Sequence, residues 1–289
     1  HISNKQVVRY VRQESRGRLR KGLDLAGGVE FIINFTKDKD SLESDDRIAE
    51  QVRKIIDQRV NAQGVADANV QVVKGMNKIS VNLPALSEAD KADIEALIMM
   101  PAKLQFYEVH PDNSEEIRTY HRDPKAYRAP AGYRLDVIET ERQGKFDREF
   151  ILLKEHVPGD LAGQLSGKGI AVAGESTAMV RSAYATHDPL EGYCVHISFT
   201  AKGGALFGQL TKKLQPVGER KFRLAIALDD KVYSAPSINE AILGGNCQIS
   251  GSFSQEEARV LAAAIASGNL PAKLKIDSVF STSPQLGEE

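Results

Sequence analysis

The hydrophobic period switches repeatedly between Val29 and Val109, and each switch is punctuated, which narrows what this stretch can fold into. Val29, Phe31, Ile33 and Phe35 alternate with Glu30, Ile32, Asn34 and Thr36, the period of a strand with one strongly apolar face. From Ser44 the period lengthens. Ile48, Val52, Ile55, Ile56 and Val60 fall on one helical stripe, Asp45 and Asp46 sit in the first turn where they suit the helix dipole, and Gly64 ends the run. "ANVQVVK" (68–74) and "NKISVNLP" (77–84) predict two strands hinged at Gly75-Met76-Asn77. A helix that Ser87 can cap and Pro101 ends comes next, and "AKLQFYEVH" (102–110) reads as another strand. The order is βαββαβ, which predicts an α+β fold with a ferredoxin-like base: two split βαβ units forming one antiparallel sheet under two helices.

Beyond residue 110 the pattern changes. Residues 110–155 are polar, rich in charge and broken by Pro and Gly, and they read as an exposed connection into two short strands, "RLDVIE" and "EFILLK". A second organised region follows, with strands "GYCVHISFT", "KFRLAIALDD", "KVYSAP" and "NCQISG" and helices near 201–214 and 255–267. The second helix opens on Ser254-Gln-Glu-Glu257, a capping box. "LPAKLKI" (270–276) is then a strand left over, which could return to the base sheet. The expected layout is a basic arm over 1–21, a base over 22–109 plus 268–280, an inserted α/β head over 110–267, and a tail over 281–289.

A chain of 289 residues, 42% hydrophobic and 27% charged, can bury a substantial core. Its net charge of −1 gives no global drive toward nucleic acid. No apolar run approaches the roughly 18 to 20 residues that a membrane helix needs, and "VLAAAIA" (260–266) reads as one face of an ordinary helix. The opening His-Ile-Ser-Asn reads as a cloning remnant, so the chain is expected to be an excised piece. Cys194 and Cys247 are too far apart for a CxxC motif; they could pair in an oxidising compartment or be two small buried residues.

Catalytic signatures fail one by one. "GLDLAGG" (22–28) ends in Gly27-Gly28-Val29 where a P-loop needs Gly-Lys-Ser/Thr, and a strand follows it where a dinucleotide fingerprint needs a helix. Its glycines more simply permit a turn before the strand. "SGKG" (166–169) lacks the P-loop spacing, and "GEST" (174–177) lacks the second glycine of a nucleophile elbow. The histidines show neither HxxxH nor HExxH spacing, so no metal site is expected. His187-Asp188-Pro189 reads as a turn, Asp229-Asp230 as a hairpin turn, Gly244-Gly245 as a turn before the strand at Cys247, and Asp24 as a residue orienting the turn before the first strand. The expectation is a protein that is not an enzyme and needs no cofactor.

Four blocks together resemble SecD, the accessory subunit of the bacterial Sec protein-export machinery, in its first large extracytoplasmic domain. Gly22-Leu23-Asp24-Leu25-Ala26-Gly27-Gly28 resembles the family's GLDLxGG signature, and "IIDQRVNAQGV" (55–65) resembles its R-x-N-x-x-G-V helix end. "ISFTAKGGALFGQLT" (197–211) is similar to its F-x-x-E-G-A-x-x-F-x-x-L-T pattern. The block over 223–274 carries Asp229, Ser234-Ala235-Pro236, Gly244-Gly245 and Gly268 with Leu270-Pro271 in the family's order. Two positions depart from it: Lys202-Gly203-Gly204 stands where Glu-Gly-Ala is usual, and Ala26 where a polar residue is usual.

The resemblance implies a multi-pass membrane protein of which this is the periplasmic part, at the bacterial inner membrane. It implies unfolded preprotein, SecF (separate or fused) and the SecYEG translocon as partners, with the essential proton-carrying residues in membrane helices elsewhere. It further implies a head that moves relative to the base. The basic arm, with Lys5, Arg9, Arg12, Arg16, Arg18, Arg20 and Lys21, fits a membrane-proximal segment, although translocated flanks tend to be poor in such residues. A ferredoxin-like unit alone would equally suit a periplasmic module of an efflux-type transporter.

Overall fold

The computed structural model describes residues 28–37, 43–65, 67–73, 75–84, 86–142, 145–166, 179–190 and 192–282. The basic arm, Gly22, Leu23, Asp24, Leu25 and Gly27 of the glycine loop, "GEST", most of "SGKG" and residues 283–289 lie outside these. The chain forms a mixed α and β structure that divides into two compact units, one of residues up to Glu95 together with those from Ala272 onward, the other Ala96–Pro271.

The first unit holds strands β1 (Gly28–Lys37), β2 (Asn69–Val73) and β3 (Lys78–Pro84) and helix α1 (Asp45–Ala62). The alternation in the sequence becomes a buried face: Val29, Phe31, Ile33 and Phe35 on β1 and Ile79, Val81 and Leu83 on β3 are all buried. Ser44 caps α1 by accepting from the Arg47 amide, and Ile48, Val52, Ile56 and Val60 form its buried stripe. Gly64 (φ 73) follows the helix, and Gly75 (φ 75) turns β2 into β3.

The four-stranded sheet is closed by a strand from the far end of the chain, Ala272–Thr282, which is the thirteenth strand in order (β13). The order β13-β1-β3-β2 is antiparallel throughout, with Phe31 opposite both Val279 and Val81. "LPAKLKI" thus lies at and within the start of the closing strand, which runs on to Thr282. The expected sixth element goes elsewhere. β4 (Leu104–Glu108) pairs in the second unit, so the strand that ends the sequence's βαββαβ pattern does not enter this sheet. Both of its faces are buried, Phe106 on one and Tyr107 on the other, and periodicity carries no information about which sheet such a strand joins.

The second unit contains α2's last turn (the helix runs Glu88–Met99), α3 (Asn113–Arg122), β5 (Tyr133–Arg142), β6 (Lys145–Lys154), α4 (Leu161–Leu165), β7 (Val180–Asp188), β8 (Gly192–Phe199) and α5 (Ala201–Lys213). It continues with β9 (Phe222–Leu228), β10 (Lys231–Ser234), β11 (Ser237–Ile238), β12 (Asn246–Phe253) and α6 (Gln255–Ser267). One sheet runs β11-β9-β10-β5-β6 with β4 added on β9; the other is β12-β8-β7. Phe106, Phe199 and Phe207 meet in its core with ring centroids 5.0–6.0 Å apart. Residues 110–155 carry the two expected strands, longer than read and paired as one hairpin, and the connection before them holds a helix the sequence did not announce, α3, whose Asn113 side chain accepts from the Leu152 amide at 2.7 Å.

Cys194 and Cys247 are not joined by a disulfide. On the ladder between β12 and β8, Cys247 faces Ile197 and Cys194 faces Ser250. The odd offset puts the two side chains on opposite faces of the sheet, so no disulfide can form without a register change. Burial pushes the Cys247 thiol up to about 12.

Candidate functional site

The second unit carries an open groove of about 580 Å³ where the β8–α5 junction meets the loop before β12. Thr200 starts it. Its hydroxyl accepts from the Gly203 amide at 3.2 Å, which caps α5, and lies 3.3 Å from the Met179 carbonyl, to which it donates. Small residues then bring the helix and the loop together. A Cβ on Gly203 would come 2.4 Å from the Met179 carbonyl oxygen, and one on Gly204 would come 3.3 Å from Gly245 Cα.

The loop is fastened at both ends. The Phe199 amide donates to the Gly245 carbonyl at 2.8 Å, and the Ile242 amide donates to Thr211 Oγ1 at 3.0 Å. Ser198 Oγ donates to Asn246 Oδ1 at 2.7 Å, and Asn246 Nδ2 donates to the Gly244 carbonyl at 3.1 Å. Leu243 stands 75% exposed at the rim. Arg181 and Lys212 also line the groove, and among the described residues no carboxylate does. Arg181 is the extra residue of a bulge between Val180 and Ser182 on β7, a device that re-aims a side chain. What this arrangement offers is a surface for an extended ligand: one apolar wall, side-chain amides, and a floor that small residues keep open.

The sequence's signature residues take up mainly structural positions. Gly28 opens β1, buried between Thr282 and Pro84. Asp229 and Asp230, at φ 50 and 67, make the tight turn from β9 to β10. Asp229 does more than turn: its carboxylate accepts from the Ala102 amide at 3.1 Å and the Lys103 amide at 2.8 Å. Ser234 ends β10, the Ala235 carbonyl accepts from Arg223 Nε at 2.7 Å, and the Pro236 carbonyl accepts from the Leu224 amide at 3.1 Å. Gly268 (φ 91) ends α6, Leu270 donates to the Pro101 carbonyl at 3.1 Å, and Pro271 is the last residue of the unit. Among the described members of the set, only Gly244 and Gly245 line the groove. Arg181 and Lys212 belong to no motif, so nothing in the pattern of residues marked them.

A second polar cluster lies apart from the groove. The Tyr107 ring stacks on His156 at 4.4 Å, with Arg134 over it at 4.9 Å, and Gln105 Nε2 donates to its hydroxyl at 2.9 Å. His156 Nδ1 is 3.6 Å from Asp160 Oδ2. Burial raises the Tyr107 phenol. The nearby Ser166 hydroxyl accepts from the Phe106 amide and donates to the Ala162 carbonyl, so it is held as a structural bridge. His187 packs edge-on against Tyr193 at 4.9 Å, and the Asp188 carboxylate accepts from the Leu190 amide, completing the expected turn.

Comparison with known proteins places the chain in a class of protein-export subunits. The model of the SecDF P1 head subdomain matches residues 159–272, and that of the N-terminal part of the P1 domain of protein translocase subunit SecDF matches 49–111. The chain belongs to the SecD/SecDF family and is a P1 domain of it. It is 31% identical over 94% of its length to protein translocase subunit SecDF of Thermus thermophilus, and 31% identical over 90% to SecD of Calditerrivibrio nitroreducens. It spans 32% and 46% of those relatives, respectively. A crystal structure of SecDF in a super-membrane-facing form aligns with a TM-score of 0.61 at 26% identity, over 98% of this chain and 34% of that one. A structure from work on SecDF as a membrane component that enhances protein export aligns at 0.58 and 27% identity, over 86% of this chain and 98% of that one. Family membership sets the efflux-type reading aside. Among the described residues no helix is long and apolar enough to cross a membrane.

Proposed function

We propose that this domain holds emerging, unfolded preprotein on the periplasmic side of the membrane, and that the groove beside α5 is where the client lies. The observation that carries the reading is the groove itself: open, walled by the exposed Leu243 and the close-packed Gly204 and Gly245, and bordered by side-chain amides. Holding an unfolded chain calls for adaptable apolar and main-chain contacts, which such a surface provides without a reactive centre.

In this reading the second unit is the head. The first is a ferredoxin-like base, for which the order β13-β1-β3-β2 with helix α1 is the support. The base transmits motion of membrane helices driven by proton flow, and the whole protein works with SecF and the SecYEG translocon. The description of a SecDF relative as enhancing protein export is consistent with that role.

The test is fluorescence anisotropy of a labelled unfolded preprotein segment titrated with this domain and with a Leu243→Asp variant. Leu243 is exposed, so the variant should keep the fold. Saturable binding that the variant weakens is the expected result. Absence of saturable binding to the parent domain would overturn the holding role.

A further inference from the structure

We infer that the groove selects by charge, accepting acidic stretches of an extended polypeptide and turning basic ones away. The inference rests on the holding role proposed above and adds the kind of segment that is held. Arg181 and Lys212 are both exposed at the groove, and among the described residues no carboxylate lines it. Neither cation has a salt bridge among the described residues, unlike the neighbouring Lys213, whose Nζ is 2.6 Å from Glu108 Oε1.

Helix α5 adds no opposing charge. Its sequence, AKGGALFGQLTKK, contains no acidic residue. The bulge at Arg181 brings that guanidinium to the groove from strand β7, so positive charge is supplied from separate elements. Like charges juxtaposed across an interface oppose binding, and opposite charges steer and favour it.

A polypeptide fits better than a phosphate-bearing surface, because the lining mixes donors with acceptors. Gln209 carries an amide with an NH₂ and a C=O, which can match both sides of a peptide bond. Phosphate oxygens at neutral pH need chiefly donors. The apolar Leu243 at the rim suits a side chain of the same segment.

The experiment titrates this domain with labelled extended peptides that share one apolar frame and carry neutral, acidic or basic residues between the apolar ones. At low salt the acidic peptide should bind about three- to tenfold more tightly than the neutral one, given a few-fold gain per exposed ion pair, and the basic one more weakly. High salt should close the gap. Arg181→Gln with Lys212→Gln should abolish the preference while keeping neutral binding, and Arg181→Glu with Lys212→Glu should invert it. Circular dichroism checks that each variant is folded, and neither change touches a buried residue.

Equal binding of all three peptides would overturn charge selection and leave the holding role standing. Binding of none would overturn both. Binding of phosphatidylglycerol vesicles, with no acidic-peptide preference, would also overturn the inference, because the groove would then be an anionic-lipid surface.

Discussion

In the first unit the buried residues of β1 fall at every second position from Val29 to Phe35, and β3 repeats the pattern from Ile79 to Leu83. In the second unit the ladders slip, at Arg181 on β7, between Val232 and Ser234 on β10, and between Ser250 and Phe253 on β12. Two consecutive aspartates adopt left-handed backbone, and glycines allow a helix and a loop to meet at near contact distance. The first unit has one slip of its own, between Ile32 and Ile33, where Asp277 is the extra residue. The difference teaches where a ligand surface arises. Regular alternation spends every second side chain on the core, whereas bulges and small residues free side chains and backbone to form a groove.

The largest effect tests the regular unit. Phe31→Ala removes a ring that is 1% exposed at the centre of the first sheet, and it should cost about 3–5 kcal/mol in urea unfolding. A much smaller loss would mean that this core is looser than its pattern implies. Gly203→Ala tests the irregular unit. Its added methyl would sit 2.4 Å from a backbone oxygen, so the cost should be about 1–3 kcal/mol although the residue grows by only one carbon. An unchanged melting curve would break the close-packing account.

Asp229→Ala follows. It strips the Ala102 and Lys103 amides of their acceptor and should cost roughly 1 kcal/mol per lost bond. Asp229→Asn, which keeps one carbonyl oxygen and tolerates left-handed backbone, should recover part of that in the same unfolding assay.

A weaker effect is expected at the N-terminus of α6, where Ser254 and Glu257 form a reciprocal capping box. The hydrogen bond from the Ser254 amide holds the Glu257 carboxyl below its ordinary 4.5. A lowered carboxyl stabilises the fold above that ordinary value, and the contribution disappears as pH falls through the native one. Glu257→Ala should therefore cost about 0.5–1 kcal/mol at neutral pH and progressively less as the acid range is entered. A penalty independent of pH would rule out the carboxylate as its source. The smallest effect is nil: without reductant, mass spectrometry under non-reducing conditions should find Cys194 and Cys247 still as thiols.

Legibility followed the range of the interaction that decides each feature. The hairpin at Gly75, the Ser87 cap and the Ser254 capping box were readable because each is completed within a few residues. The glycine pair at 244–245 was readable as a turn, yet its place in the groove was not, because the opposing Gly204 lies on another element. Helix α3 was missed since its hydrogen bonds are local but none of its residues is buried, which leaves no apolar stripe to read.

By itself, the sequence determined the elements, their caps and turns, the family signature, and the absence of a recognisable catalytic motif. Only the tertiary structure decided that β13 closes the first sheet while β4 joins the second, that the cysteines face apart, and that a bulge brings Arg181 to the groove. The physical reason is that hydrophobic period and capping act over one or two turns of chain. Strand partnership, register and groove shape depend instead on which distant edges and faces fit one another, and an alternating pattern is equally compatible with many of them.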